Sequence, residues 1–150
     1  MYSISVITPS FNQGEFLAET LTSVITQSVK PLEHLVYDPG SSDNSREIAR
    51  NFPHVTLIEE PDEGQGDAVN KGFLRAKGDI VAWLNSDDYY FDTNVFEKVI
   101  SRFSENDSPD IIYGRGTYVN EKGEWLRDCY INSNPDILFD RFQHEVGILQ

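Results

Sequence analysis

The sequence predicts an α/β protein built on a mostly parallel sheet with helices on both faces. Three observations carry that expectation. Short β-branched runs alternate with stretches whose apolar residues recur at helical spacing. The segments joining them are short, and such alternation is the pattern of a parallel sheet covered by crossover helices. Polar clusters rich in Pro, Gly, Asn and Asp sit at the ends of the apolar runs, where open parallel sheets bind ligands.

Ser3 to Thr8 (SISVIT) is β-branched and ends at Pro9, which cannot continue a central strand. Residues 13–28 follow as a helix, with Phe16, Leu17, Leu21, Val24 and Ile25 on one side, and Lys30-Pro31 closes it. His34 to Tyr37 is a second strand, broken by Asp38-Pro39-Gly40. Ser42 or Asp43 suits the N-cap of a helix through Arg50. Val55 to Ile58 forms a third strand, Gly64 to Gly66 opens a helix to about Ala76, and Ile80 to Leu84 forms the fourth strand. Val95, Phe96, Val99, Ile100 and Phe103 mark another amphipathic helix, and Ile111 to Tyr113 reads as a fifth strand. Tyr118-Val119-Asn120 and Trp125-Leu126 flank Glu121-Lys122-Gly123 as a hairpin. There is no internal repeat, low-complexity segment or interior linker, so residues 1–150 are expected to form a single domain. The tail FDRFQHEVGILQ stops on an apolar stretch, as a chain cut short of its natural end would.

Composition narrows the function. Hydrophobic residues make up 39% of the 150, enough for a core, and the formal net charge of -13 argues against nucleic-acid backbones and anionic membrane surfaces as partners. One cysteine, Cys129, excludes an internal disulfide and a cysteine-based zinc site. No apolar run approaches the roughly 20 residues of a membrane helix, and MYSISVITPS has neither the basic nor the long apolar segment of a signal peptide. The expected location is the cytoplasm, with the inner face of the membrane as a peripheral alternative. His34, His54 and His144 lack metal-ligand spacing. The chain also lacks a G-x-G-x-x-G turn after its first strand, a G-x-x-x-x-G-K-[ST] loop and a G-x-S-x-G elbow.

Three polar clusters share one rim by topology: Pro9-Ser10-Phe11-Asn12, Asp38-Pro39-Gly40-Ser41 and Asn85-Ser86-Asp87-Asp88. Adjacent carboxylates repel, so Asp87 and Asp88 call for a compensating cation. A hard divalent ion would take one or two of their oxygens and leave room for a diphosphate; a solvated capping turn is the alternative. The aromatic residues that follow, Tyr89, Tyr90 and Phe91, point to a walled site. Asp38 either closes a turn or accepts a hydrogen bond from a base or ribose. Gly64-Gln65-Gly66-Asp67 offers helix N–H groups to an anion, or is a flexible loop capped by Asp67. Lys71 lies one turn on, either near a phosphate or simply solvated.

These residues resemble the family 2 glycosyltransferases, inverting enzymes with the GT-A (Rossmann-like) fold. SVITPSFNQGEFLAETLTSVITQS looks like that family's first strand, Pro-x-aromatic-Asn turn and first helix, and HLVYDPGSSDNS like its second strand and Asp-x-Gly-Ser-x-Asp turn. EPDEGQGDAVNKGFLRAKGDIVAWLNSDD is similar to its Ala-x-Asn-x-Gly helix and terminal carboxylate pair. The resemblance runs from Ser3 to about Phe91 and more loosely beyond.

The resemblance implies transfer of a sugar from a nucleotide-sugar donor to the hydroxyl of a saccharide or lipid-linked acceptor, in polysaccharide or glycoconjugate biosynthesis. It implies that Thr8, Pro9 and Ser10 border the base, that Asn12 holds the turn, and that Asp38 contacts the nucleoside. The stretch Gln65, Gly66, Asp67 to Lys71 would lie near the ribose or diphosphate, beside Asn85 and Ser86. Asp88 would bind Mg²⁺ or Mn²⁺, with Asp87 on the ribose or the metal shell. Pro39 stands where many members carry a second aspartate, which leaves UDP-, GDP- and dTDP-linked donors open. The general base is expected beyond Gln150, with Asp140 and Glu145 close to that point. A non-catalytic nucleotide-sugar-binding module lacking the acceptor half is the alternative, and a homodimer is a candidate assembly.

Overall fold

The computed structural model describes residues 2–106, 109–120 and 122–129, and the chain divides into two compact units, Met1–Pro109 and Asp110–Gln150. The first unit runs β1 (Ile4–Pro9), α1 (Leu17–Ile25), β2 (Glu33–Tyr37), α2 (Ser45–Arg50), β3 (Val55–Ile58), α3 (Gln65–Arg75), β4 (Ile80–Trp83) and α4 (Val95–Phe103). Its four strands form one parallel sheet in the order β3-β2-β1-β4. Val6 stands opposite His34 on one side and Ala82 on the other. β1 is buried along its whole length, as a strand covered on both faces must be.

Alternation along β1 assigns the faces. Ile4 and Val6 pack with Val24 of α1 and Phe96 of α4. On the same side, Leu17 and Leu21 of α1 meet Val36 of β2 and Ala49 of α2. Ile7 points the other way, into Leu35, Tyr37, Ile58 and Ala68 of α3. Each fully buried aliphatic side chain contributes about 1.5–3 kcal/mol, so the two faces together hold the sheet flat between its helices. α3 comes closest. A Cβ at Gly72 would overlap the Ile7 side chain, all of whose nearest atoms belong to a fully buried residue.

The helix ends differ from the sequence expectation. α1 is shorter than residues 13–28: Gln13 O accepts from Phe16 N and Leu17 N in turns before the helix starts. At its other end Lys30 Nζ donates to the carbonyls of Ile25 (2.6 Å) and Gln27 (2.9 Å), satisfying groups the last turn leaves open. α2 begins after Asn44 rather than after Ser42 or Asp43, because Asp43 Oδ1 takes both the N–H and the hydroxyl of Ser45.

The expected fifth strand at Ile111 to Tyr113 is not formed. Ile111 is 78% exposed, and the strands described in the second unit, β5 (Thr117–Val119) and β6 (Trp125–Asp128), pair antiparallel with each other. Among the described residues of that unit, the three apolar residues ahead of Gly114-Arg115-Gly116 extend neither strand. The hairpin appears where the sequence places it, with Gly123 at φ 75° and Asn120 Oδ1 accepting from Lys122 N and Glu124 N. Among the described residues no helix is long and apolar enough to cross a membrane.

Beneath the sheet's binding edge, His34 is fully buried; its Nε2 bonds Thr8 Oγ1 at 2.9 Å and its Nδ1 faces His54 Nε2 at 3.4 Å. Burial, reinforced by His54, holds the His34 pKa down at about 3. The unfolded chain therefore binds a proton first as pH falls through 6.5, and stability declines between there and about 3. From this group alone, about 2 kcal/mol should be lost between pH 7 and pH 5; urea unfolding of the chain and of His34→Gln at both pH values checks it, the variant losing less. Gly72→Ala should cost about 1–3 kcal/mol by overpacking, outweighing the roughly 1 kcal/mol that alanine gains over glycine inside a helix; the urea midpoint reports the sign.

Candidate functional site

The chain moves outward from β1 to β2 to β3 and then returns to place β4 on the far side of β1. That order puts the turns after β1 and β4 side by side at the carboxyl ends of the strands, where open α/β sheets bind ligands. A cleft of about 690 Å³ occupies that position. Pro9, Ser10 and Pro39 line it from the first two strands, Gln65 and Ala68 from α3, and Asn85, Ser86 and Asp87 from the end of β4. The three polar clusters converge on one edge.

The β2 corner is tightly built. Asp38 is 1% exposed; its Oδ1 accepts from Gly40 N (2.9 Å) and Ser41 N (2.7 Å), and the Arg46 guanidinium approaches to 4.0 Å. Arg46 in turn donates to the Ser41 carbonyl at 2.7 Å. Asp38 Oδ2, equally buried, has no partner, and neither does Ser10 Oγ on the neighbouring strand end. Asn12, at φ 54°, accepts from Ser42 N through its side-chain Oδ1 and donates its backbone N–H to Ser41 Oγ, locking the first two clusters together. Thr8 faces inward to His34 and presents no hydroxyl to the cleft.

On the opposite wall, α3 starts at Gly64, whose φ of 114° only glycine adopts without strain. No side chain caps this helix, so the first-turn N–H groups at Gln65 and Gly66 are open to a ligand. Asp67 and Lys71 do other work. Asp67 Oδ2 accepts from Glu63 N and Lys71 Nζ, and Lys71 also donates to the Pro61 carbonyl at 2.8 Å, fixing the segment that leads into α3. The Lys71 bond lowers the Asp67 pKa and raises that of Lys71.

The acidic turn hangs from α1. Thr20 Oγ1 donates to the carbonyls of Ser86 and Asp88, both at 2.8 Å. Ser23 Oγ accepts from Tyr90 N, and Gln27 bridges the Asp92 carbonyl and Phe96 N. These three buried residues, Thr20 and Ser23 in α1 and Gln27 just past its end, escaped the sequence reading. Their signal was polar side chains interrupting the apolar pattern of α1 and its exit. The expected aromatic wall is not there: Tyr90 packs edge-on against Phe96 in the core, and Phe91 is 94% exposed. Buried beside Phe96, the Tyr90 hydroxyl is pushed up to about 12.

Although Asp88 as a residue is exposed, desolvation of its carboxyl against the turn raises its pKa, and the neighbouring Asp87 charge adds to the effect. Asn85 Nδ2 donates to Asp88 Oδ2 at 3.1 Å and opposes that shift. Among the described residues no third His, Cys, Asp or Glu gathers with another two into a metal-holding group.

Known proteins resemble this chain in sequence and in fold. The family model described as Glycosyl transferase family 2 matches residues 5–147. The uncharacterized glycosyltransferase YibD of Escherichia coli (strain K12) is 36% identical over 108 residues, covering 69% of this chain and 31% of that protein. The uncharacterized glycosyltransferase alr2836 of Nostoc sp. is 30% identical over 115 residues, covering 73% and 35%. Among solved structures, S. aureus TarS (residues 1–349) in complex with UDP-GlcNAc matches with a TM-score of 0.61 at 25% identity, over 67% of this chain and 31% of that one. The chain spans about a third of the length of these relatives.

Because its folded-state pKa is raised, Asp88 favours folding below the carboxylate range and loses that contribution as pH rises through its own pKa. Asp88→Asn should therefore leave the Tm at pH 7 unchanged or higher in thermal unfolding without added metal; a fall of several degrees would mark the carboxylate as a structural cap.

Proposed function

The chain belongs to glycosyl transferase family 2 and carries its GT-A sheet, and on that premise we propose that the cleft binds the nucleotide end of an activated sugar for inverting transfer to an acceptor hydroxyl. The observation that carries the donor reading is the pair of buried, unpartnered oxygens Ser10 Oγ and Asp38 Oδ2 on adjoining strand ends. A buried acceptor left unpaired costs about 1–3 kcal/mol, so a ligand that donates to it gains by the same measure.

The geometry of Asp38 narrows the base. Its Oδ1 is already taken by Gly40 N and Ser41 N, so a single oxygen remains. One oxygen suits the lone imide N–H of uracil or thymine, while guanine presents two adjacent N–H donors that ask for a bidentate carboxylate. UDP- or dTDP-linked donors follow from this, and the UDP-GlcNAc bound in the TarS complex supports the uridine choice. The uncapped first turn of α3, at Gln65 and Gly66, receives the diphosphate.

A Mg²⁺ or Mn²⁺ ion fits the opposite side. Asp87 and Asp88 are adjacent carboxylates, one of them desolvated, and with no third ligand group beside them among the described residues a hard cation would complete its shell from diphosphate oxygens and water. Bound there, it supplies charge neutralisation to the departing nucleoside diphosphate. Inversion also needs a general base on the acceptor hydroxyl; Asp140, Glu145 and Gln150 lie outside the described residues. A saccharide or lipid-linked acceptor in polysaccharide or glycoconjugate assembly, met in the cytoplasm, completes the reading.

Thermal unfolding with UDP, dTDP, GDP and CDP, each with Mn²⁺, tests the donor. UDP and dTDP should stabilise the chain, by about 2.7 kcal/mol at a hundredfold excess over Kd, and GDP should not. Asp38→Asn keeps Oδ1 for the turn but turns Oδ2 into a donor, so it should lose the UDP response and gain one to CDP, whose N3 is an acceptor. An Asp38→Asn chain that still prefers UDP would remove Asp38 from base recognition.

A further inference from the structure

We propose that Asn85 is a positioning residue whose side-chain amide pins the Asp88 carboxylate to the first turn of α3. The inference rests on the donor and metal reading above. Asn85 lies at the meeting of three elements. Its Oδ1 accepts from Gln65 Nε2 of α3 at 2.7 Å and from Trp83 Nε1 at the end of β4 at 2.9 Å. Its Nδ2 donates to Asp88 Oδ2 at 3.1 Å, and its backbone carbonyl accepts from Asp88 N at 3.2 Å.

The amide admits one orientation only. Flipped, its NH₂ would face the indole and Gln65 donors while its oxygen faced a carboxylate, so every contact would be donor against donor or acceptor against acceptor. In the orientation present, both lone pairs of Oδ1 are occupied. Asn85 therefore has no free oxygen with which to ligate a cation unless it gives up Gln65 or Trp83. Its function is indirect.

Two of the three partners stand on packed backbone elements. α3 is pressed onto Ile7 at Gly72, and Trp83 belongs to a strand of the sheet. Asp88 is the partner with freedom, because the charge on Asp87 beside it favours rotation of the carboxylate away from its neighbour. The Asn85 N–H opposes that rotation and offers the carboxylate a fixed direction. An aspartate at 85 would lose this donor and set a third negative charge against the pair. Gln65, which lines the cleft where the diphosphate is proposed, is thereby linked through one amide to the carboxylate proposed for the cation.

Partners of this kind, one step removed from a metal, change its affinity about 10–100-fold when mutated. The test is a titration of Mn²⁺ into this chain with saturating UDP, following loss of the free-ion electron paramagnetic resonance signal, beside UDP binding in EDTA. Asn85→Ala should weaken Mn²⁺ uptake about 10–100-fold, a clearly larger factor than any loss of UDP affinity in EDTA. Gln65→Met, which removes one of the two donors to Oδ1, should shift Mn²⁺ uptake in the same direction by less. Unchanged Mn²⁺ uptake in Asn85→Ala would overturn the role. Parallel losses with and without metal would overturn it too, since damage to the cleft rather than aim of the carboxylate would then be the cause. If the unaltered chain takes up no Mn²⁺ with UDP, the metal reading itself fails, and this role falls with it.

Discussion

A parallel strand cannot turn directly into its neighbour, so every strand of this sheet delivers the chain to the same edge and a helix carries it back. Four times over, that constraint places a turn on one rim. The return of the chain to place β4 beside β1 brings the turn after β4 next to those after β1 and β2, and the cleft lies between these turns and the first turn of α3. What the side chains decide is its chemistry.

Two carboxylates on this rim face opposite circumstances. Asp38 is enclosed and half satisfied, with one oxygen committed to the backbone of its own turn and the other left over. Asp88 is crowded by Asp87 and partly stripped of water, with a single amide for compensation. The first is arranged to accept a proton donor of fixed direction, and the second to welcome positive charge. A net charge of -13 would make a polyanionic ligand an improbable guest by bulk electrostatics alone. On the proposed reading, local groups, the open N–H end of α3 and a cation at Asp87 and Asp88, would reconcile an acidic chain with a diphosphate.

Much of this was legible in the residues. β-branched runs ending in Pro9, in Asp38-Pro39-Gly40 and in Asn85-Ser86 located the strands and the rim, because strand ends and turn chemistry are local. Other features depend on distant neighbours. Ile111 to Tyr113 has strand-like side chains but pairs with no strand among the described residues, and pairing is never a property of one segment. Tyr90 looked like a wall of the site and turned inward to Phe96, since an aromatic ring gains more from a core than from a rim. Lys71 looked available for phosphate and is committed to Asp67 and Pro61, partners that only the folded loop brings close. Thr20, Ser23 and Gln27 were hidden because their contacts are to backbone more than sixty positions away.

That last arrangement has a consequence for how such a loop can change. Thr20, Ser23 and Gln27 grip the segment from Ser86 to Phe96 by its peptide groups, which every residue type other than proline provides alike. Besides the core contacts of Tyr90 and Phe96, the segment is therefore held through its backbone. Substitutions can accumulate along its outward surface, at Tyr89 or Phe91 for instance, without altering where the carbonyls and amides sit. A scaffold that separates anchorage from identity in this manner lets ligand preference diversify while the height and path of the loop stay constant.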